Sequence, residues 1–449
     1  MTKASKDAFE RAVIDAVAHQ RAGRLGAAEA AYREALAISP DHPVATHNLG
    51  VITAAQGDHL SAVCHFERAI AVEPRYASAH YNRAIALAAL GQAKPAIESF
   101  SRACVIEPEH YDAHRALGFL WLAQGERGRS LDHFARTYEL RRGDDQTGIA
   151  AKSLTETTRT KLRHDAEQFR YLAASRHDRP RFEVLARTYE DVARDAREEP
   201  TPMSEQQREM LGDDYNTAIY AASAPELADG ALSERTDRDD LVRRFRSEQT
   251  GAVYFDDLLT PRALALLQQY LLESTIWHDF SHIGGFVAAY LEDGLACPLL
   301  LQIADELRKR FPELLGEYPL TQAWAFKAVD ASAAVDVHAD DAAITVNFWV
   351  TPTEANLEPG RGGLAVCRVP PPADWQLEGY DADQERIVTF LGQNAGDTLN
   401  IPYRQNRAVL FESRLFHRSD VPRFVETYEN HRVSVTLLYG RHAPRASRG

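Results

Sequence analysis

The sequence predicts an α+β chain in three parts: an N-terminal α-solenoid over residues 8–142, a helical connector over 143–245, and a β-rich domain with flanking helices over 250–441. Three observations carry this reading. The first third repeats itself every 34 residues. The middle is rich in Arg, Asp, Glu and Ala with helical spacing, as in "FEVLARTYEDVARDA". The last part holds short strand-like runs separated by turn signals. At 449 residues the chain exceeds one ordinary domain.

In the repeats, Pro40, Pro74 and Pro108 recur in step with Gly23, Gly57, Gly91 and Gly125. Between them lie Ala28, Ala62 and Ala96, then Tyr32, Phe66, Phe100 and Phe134, then Ala35, Ala69 and Ala103. Small Ala lets antiparallel helices approach, and the aromatic fills the wedge between pairs. Gly makes the turn, and Pro follows a helix end because it cannot continue one. The pattern resembles the tetratricopeptide repeat in four units, the fourth decaying at Ser130, Thr137 and Arg142 as a terminal repeat does. Such arrays imply a groove for a peptide or protein segment. Asn48 and Asn82 fall at equivalent places, with Ala116 third. They are similar to the asparagine ladder by which the repeats of O-GlcNAc transferase hold a peptide backbone; inter-helix asparagines are the other reading.

The connector carries no chemical motif. It is expected to space the repeats from the last domain, with "EEPTPMSEQQ" and "ASAPELADGALSERTDRDD" as loops. In the last domain, "VYFDDLLTPRALALLQQYLLES" reads as strand, turn and helix, and "CPLLLQIADELRKRFPELL" as a second helix. Seven strand-like runs follow: "AWAFKAV", "AITVNFWV", "GGLAVCRV", "IVTFLG", "DTLNIPY", "AVLFES" and "RVSVTLLYG". Helices first and strands after suggest a jelly roll.

Chemistry enters with "VDVHADDAAITVNFWV". His338 and Asp340 flank one residue, and His417 follows a later strand after 79 positions. Two imidazoles and one carboxylate on one face leave coordination positions open, the facial arrangement of non-haem iron sites. A second H-x-D, His110 to Asp112, sits in a repeat helix where i and i+2 do not share a face, and is set aside. Arg432 lies 15 residues beyond His417, with Ser434 on the same strand face. A guanidinium with a hydroxyl beside it is a receptor for a carboxylate.

His338, Asp340, His417, Arg432 and Ser434, in this order and strand context, resemble the Fe(II)/2-oxoglutarate-dependent dioxygenases over residues 250–441. "ITVNFWVTP" and the following glycine pair look like the prolyl-hydroxylase-like members, whose domain is a double-stranded β-helix. The resemblance implies His338, Asp340 and His417 as iron ligands and Arg432 and Ser434 as the 2-oxoglutarate anchor. Asn347, on the strand after H-x-D, is a candidate to reach the cosubstrate, with the sandwich core or a turn as the other reading. Fe(II), 2-oxoglutarate and O2 are the implied cofactor and cosubstrates, with ascorbate as an optional addition. Asp340 stands where halogenating members carry a small residue, which favours hydroxylation. Aspartyl β-hydroxylases also carry such repeats but lack this carboxylate, and collagen prolyl hydroxylases typically anchor 2-oxoglutarate with Lys.

Other residues are weighed and mostly set aside. Asp341 is read as outside the ligand set, Trp324 and Lys327 as strand residues that approach the cosubstrate in relatives, and His278, His282 and His431 as rival imidazoles. Arg404, Arg407, Arg418 and Arg423 form a basic rim. The long segment 370–400, with Trp375 and Tyr380, is the candidate substrate enclosure.

A formal charge of −14 excludes general affinity for nucleic acid or an anionic membrane surface. Four dispersed cysteines and no apolar run of spanning length point to a reduced, cytoplasmic protein. The expected function is hydroxylation of a peptide or protein side chain recruited by the repeats. The alternatives are a small-molecule, natural-product or amino-acid substrate, with the repeats serving dimerisation or docking, and a catalytically silent adaptor.

Overall fold

The computed structural model describes residues 2–142, 154–175, 178–247, 251–281, 285–330, 336–372, 375, 384–421 and 423–441. It divides into two compact units, 1–121 and 122–449. His282, Tyr380 and the stretches 373–374 and 376–383 of the expected enclosure segment lie outside the described residues.

Eight helices follow the repeat pattern: α1 (Lys3–Arg21), α2 (Leu25–Ile38), α3 (Pro43–Ala55), α4 (His59–Val72), α5 (Ala77–Ala89), α6 (Ala93–Ile106), α7 (Tyr111–Ala123) and α8 (Arg127–Arg142). Local chemistry sets the ends. Pro43 opens α3, and the Asp58 carboxylate accepts from Ser61 N–H at 3.0 Å to cap α4. Gly23, Gly57, Gly91 and Gly125 all adopt positive φ in the turns, which explains their spacing. The repeated Ala and aromatic positions, Ala62, Phe66, Ala96 and Phe100 among them, are buried in one cluster. Gly50 permits the closest approach: a Cβ there would meet the Phe66 ring at 2.8 Å. Among the described residues, no helix is long and apolar enough to cross a membrane.

The decay of the fourth repeat has a physical cause. Arg142 is buried and donates to Asp293 through Nε at 2.8 Å and also through Nη2. Arg127 donates to Asp305 at 2.6 Å and to Glu226 at 2.7 Å. Helix α8 therefore packs within the C-terminal unit, and its residues answer to partners there.

The expected spacer is instead part of that unit. Helices α9 (Arg159–Ala174) and α10 (Arg179–Asp195) pack on each other around Phe169, Phe182 and Tyr189. Helix α9 also buries Lys161, His164, Asp165 and Gln168, and Gln168 donates to the carbonyls of Leu272 and Ser274 at 3.1 and 2.9 Å. The expected loop 198–207 ends in the first turn of a helix, Glu205–Leu211, with a capping box from Ser204 and Gln207.

Two short strands, β1 (Glu156–Thr157) and β2 (Thr201–Pro202), pair with each other. A six-stranded antiparallel sheet follows, built from β3 (Ala252–Phe255), β4 (Phe286–Tyr290), β5 (Leu320–Ala328), β6 (Ile344–Trp349), β9 (Ala408–Glu412) and β11 (Val433–Tyr439) in the order β3-β9-β6-β11-β5-β4. Strands β3 and β4 are its edges, so it is an open sheet. A three-stranded sheet pairs β10 (His417–Ser419), β7 (Leu364–Cys367) and β8 (Thr398–Ile401). The two sheets share one apolar cluster: Trp349, Val409 and Phe411 from the first meet Leu364, Val366 and Ile401 from the second.

Six of the seven strand-like runs fall on strands. "IVTFLG" does not: it lies in the helix Gln384–Gln393. Its apolar residues Ile387, Phe390 and Leu391 sit at i, i+3 and i+4 and pack on Cys367 and Phe416, so burial on one helical face overrides β propensity.

Two outcomes follow from this packing. Arg142→Met leaves the buried Asp293 carboxylate without its main partner and is expected to cost about 3–5 kcal/mol, checked by urea unfolding. His164, fully buried, has its pKa pushed down to about 3 by burial, with Asp165 opposing and Lys327 adding to the shift. The unfolded chain binds that proton near the ordinary value and the folded chain does not, so stability falls as pH drops from about 6.5 towards 3. His164→Asn is expected to flatten the slope of melting temperature against pH in that window.

Candidate metal centre

The candidate site lies between the two sheets. Strand alternation sends Trp324 and Phe326 of β5, Thr345, Asn347 and Trp349 of β6, Phe411 of β9, and Ser434 and Thr436 of β11 to one face. These residues line a cleft of about 500 Å³, counted to its open mouth, together with Gly363 and Leu364 of the β7 region and His417 and Ser419 of β10.

His338, Asp340 and His417 converge at this cleft, with their ligand atoms all within 4.8 Å of one another. His338 lies outside the named strands but forms a β-bridge with His417: each main-chain N–H donates to the other's carbonyl, at 3.1 and 2.9 Å. Asp340 Oδ1 is 3.7 Å from His338 Nε2, and Oδ2 is 3.5 Å from His417 Nε2.

Both rings are oriented from behind. His338 Nδ1 is 2.8 Å from the Asp336 carbonyl, and His417 Nδ1 is 3.0 Å from the Leu415 carbonyl. A carbonyl only accepts, so Nδ1 carries the proton in each ring and Nε2 keeps its lone pair. Burial, with repulsion from His338, pushes the His417 pKa down to about 4 against the pull of Asp340. A neutral imidazole is the form that binds a metal. Asp340 and His417 are buried, and His338 is the partly exposed member of the three. Two imidazoles and a carboxylate with convergent lone pairs fit a divalent transition metal such as Fe(II).

Arg432 immediately precedes β11 and is buried, yet among the described residues its guanidinium makes one hydrogen bond, from Nη1 to the Gly362 carbonyl at 2.8 Å. Burial lowers its pKa to about 10. The remaining N–H groups, in a cleft with no paired carboxylate, suit an anionic ligand. Beside it, Gly363 lets the chain entering β7 approach β8: a Cβ there would lie 1.9 Å from the Ile401 carbonyl oxygen. Ser434 lines the same cleft. Asn347 does too; its Nδ2 donates to Thr436 at 2.8 Å, and its Oδ1 is a buried acceptor with no partner among the described residues.

The other weighed residues separate cleanly. Trp324 lines the cleft, but Lys327 points to the opposite face, fully buried with Nζ 3.4 Å from the Tyr428 ring centroid. His278 is buried against Asn216, and His431 bridges the Ala328 carbonyl and Glu167. Asp341 is exposed. Most of the basic rim is paired: Arg404 and Arg407 with Asp256, Arg423 with Glu358. Trp375 joins Phe390 and Phe416 in the cluster that also takes Val337 and Ala339 beside the histidine. Asn48 donates to Tyr32 and Asn82 meets His47 at 2.8 Å, so both asparagines are engaged within the repeats. Sequence reasoning missed Thr345, which strand alternation from Asn347 would have placed on the cleft face, and Ser413 behind it.

Residues 15–63 and 47–108 match the tetratricopeptide repeat profile, and this stretch carries tetratricopeptide repeats. No curated protein matches the chain. Similar solved structures include MamA, at 20% identity over 30% of this chain and 78% of that chain with a TM-score of 0.29. MamA from Desulfovibrio magneticus RS-1 is similar at 24% identity, over 31% and 78%, with a TM-score of 0.29. YrrB, described as a TPR protein with an unusual peptide-binding site, is similar at 16% identity, over 29% and 66%, with a TM-score of 0.27.

Proposed function

We propose that the C-terminal unit is an Fe(II)- and 2-oxoglutarate-dependent oxygenase of jelly-roll type that hydroxylates a peptide or protein side chain, with the repeats recruiting the partner. The observation that carries this reading is the pairing, in one cleft, of the His338, Asp340 and His417 cluster with a buried Arg432 that has no carboxylate partner among the described residues.

His338, Asp340 and His417 would hold the iron. Bound there, iron would couple O2 to the decarboxylation of 2-oxoglutarate and to oxidation of a C–H bond, giving succinate, CO2 and an alcohol. The chain's own residues do the rest. Arg432 receives the distal carboxylate of 2-oxoglutarate, with Ser434 beside it. Asn347 Oδ1 offers an acceptor on the cleft floor. Trp324, Phe326, Trp349 and Phe411 form apolar walls that limit water near the reacting atoms. The two Nδ1 hydrogen bonds fix the tautomer of each ring and aim both Nε2 atoms into the cleft.

A small-molecule substrate is the second reading, favoured by the engagement of Asn48 and Asn82 inside the repeats. The same chemistry serves both, and the substrate separates them.

The test is succinate release from 2-oxoglutarate by the full chain with Fe(II) in air, in the absence of a prime substrate. Slow turnover, lost in Asp340→Ala, is the expected result. In Arg432→Met the 2-oxoglutarate concentration for half-maximal turnover should rise about 30-fold or more, since truncating one partner of a buried charge pair costs about 2–5 kcal/mol. Absence of any succinate above the Asp340→Ala background would leave an interaction protein without this catalysis.

A further inference from the structure

We propose that Thr345, backed by Ser413, is the positioning residue for the carboxylate of this centre; the inference rests on the reading that His338, Asp340 and His417 hold a divalent cation. Thr345 Oγ1 lies 2.7 Å from Asp340 Oδ2 and 2.8 Å from Ser413 Oγ. An ionised carboxylate only accepts, so the single Thr345 proton goes to Oδ2. The Ser413 hydroxyl must then donate to Thr345. The result is a directed relay, Ser413 to Thr345 to Asp340, in which every proton has one destination.

The relay is dry and fixed at both ends. Thr345 is 1% exposed and Ser413 0%, so water does not stand in for either hydroxyl. Thr345 is locked in β6 opposite Phe411 of β9. Ser413 follows β9 directly; its carbonyl accepts from Asp340 N–H at 2.9 Å, and its own N–H donates to the Ala343 carbonyl at 3.1 Å. The carboxylate is therefore held by its main chain from Ser413 and by one oxygen from Thr345. Among the described residues Oδ1 takes no hydrogen bond, which leaves it free for a cation. Without the Thr345 proton, Oδ2 is a buried anionic oxygen with no donor, and the carboxylate can rotate away from the two Nε2 lone pairs.

Partners of this kind, behind a metal ligand, typically contribute 10–100-fold in metal affinity. The test uses Mn(II) as the probe and the full-length protein, with free Mn(II) read by electron paramagnetic resonance and the metal-free melting temperature read alongside. Thr345→Val should weaken Mn(II) binding by about 10–100-fold, and Thr345→Ser should restore it to within a few-fold. Ser413→Ala should fall between, because Thr345 still donates to Asp340. Should the Val variant fail to fold, the Ser413→Ala loss and the near-normal Thr345→Ser affinity carry the comparison. Variants that melt lower but bind Mn(II) as the parent does would overturn the positioning role. So would a Thr345→Ser protein that binds as weakly as Thr345→Val. If the parent itself binds no Mn(II), the metal reading fails first, an outcome distinct from a parent that binds and variants that bind equally.

Discussion

Two main-chain hydrogen bonds between His338 and His417 govern the rest of the site. They tie a loop that precedes β6 to a strand of the other sheet, across 79 positions of sequence. Once the backbones are clamped, both Nε2 atoms are committed to one small volume, and Asp340, two residues on, has to enter it. The turn after β9 reinforces the clamp: Ser413 takes the Asp340 amide and Leu415 takes the His417 ring proton. Two of the three converging side chains thus depend on one five-residue stretch, 413–417. Side-chain identity supplies the donors, while sheet geometry supplies their convergence.

Arg432 shows the same economy from the opposite direction. A buried guanidinium would normally be paired, because leaving its hydrogen-bonding capacity unmet in low dielectric is costly. Here the single carbonyl of Gly362 is its hydrogen-bond partner among the described residues. Arg142, also buried, donates to both oxygens of Asp293 and to the Asn216 carbonyl. The contrast separates a cation built into the fold from one held open towards a cleft. Lys327 is a third case: its Nζ lies over the rings of Tyr428 and Trp277, behind the sheet and away from the cleft, where burial holds its pKa well below the ordinary lysine value.

Much of the fold was legible because its periodicities are strong. The repeat glycines announced their positive φ, and alternation in "ITVNFWV" and "RVSVTLLYG" placed strands and faces. His338, Asp340, His417, Arg432 and Ser434 were legible because residue types and order survive without coordinates. What failed was local ambiguity or long-range burial. "IVTFLG" is β-branched and apolar, yet one helical face is buried by Cys367 and Phe416. Strand β4 is not among the strand-like runs, since its pairing with β5 depends on partners about 34 to 42 residues away. The connector read as polar, but Lys161, His164, Asp165 and Gln168 are buried against one another and the sheet domain, which no composition reveals. Trp324 and Lys327, weighed together, stand three residues apart on one strand, so alternation sends them to opposite faces and Trp324 alone of the two reaches the cleft.

The central claim is that one cleft holds both a divalent metal on His338, Asp340 and His417 and a dicarboxylate on Arg432. Visible absorption after anaerobic addition of Fe(II) and 2-oxoglutarate tests it most directly, because the band arises only when the keto acid chelates the bound metal. The account predicts a metal-to-ligand charge-transfer band in the parent protein that is absent in Asp340→Ala. No band from folded parent protein at saturating Fe(II) and 2-oxoglutarate would contradict it and return the three side chains to a polar cluster between two sheets.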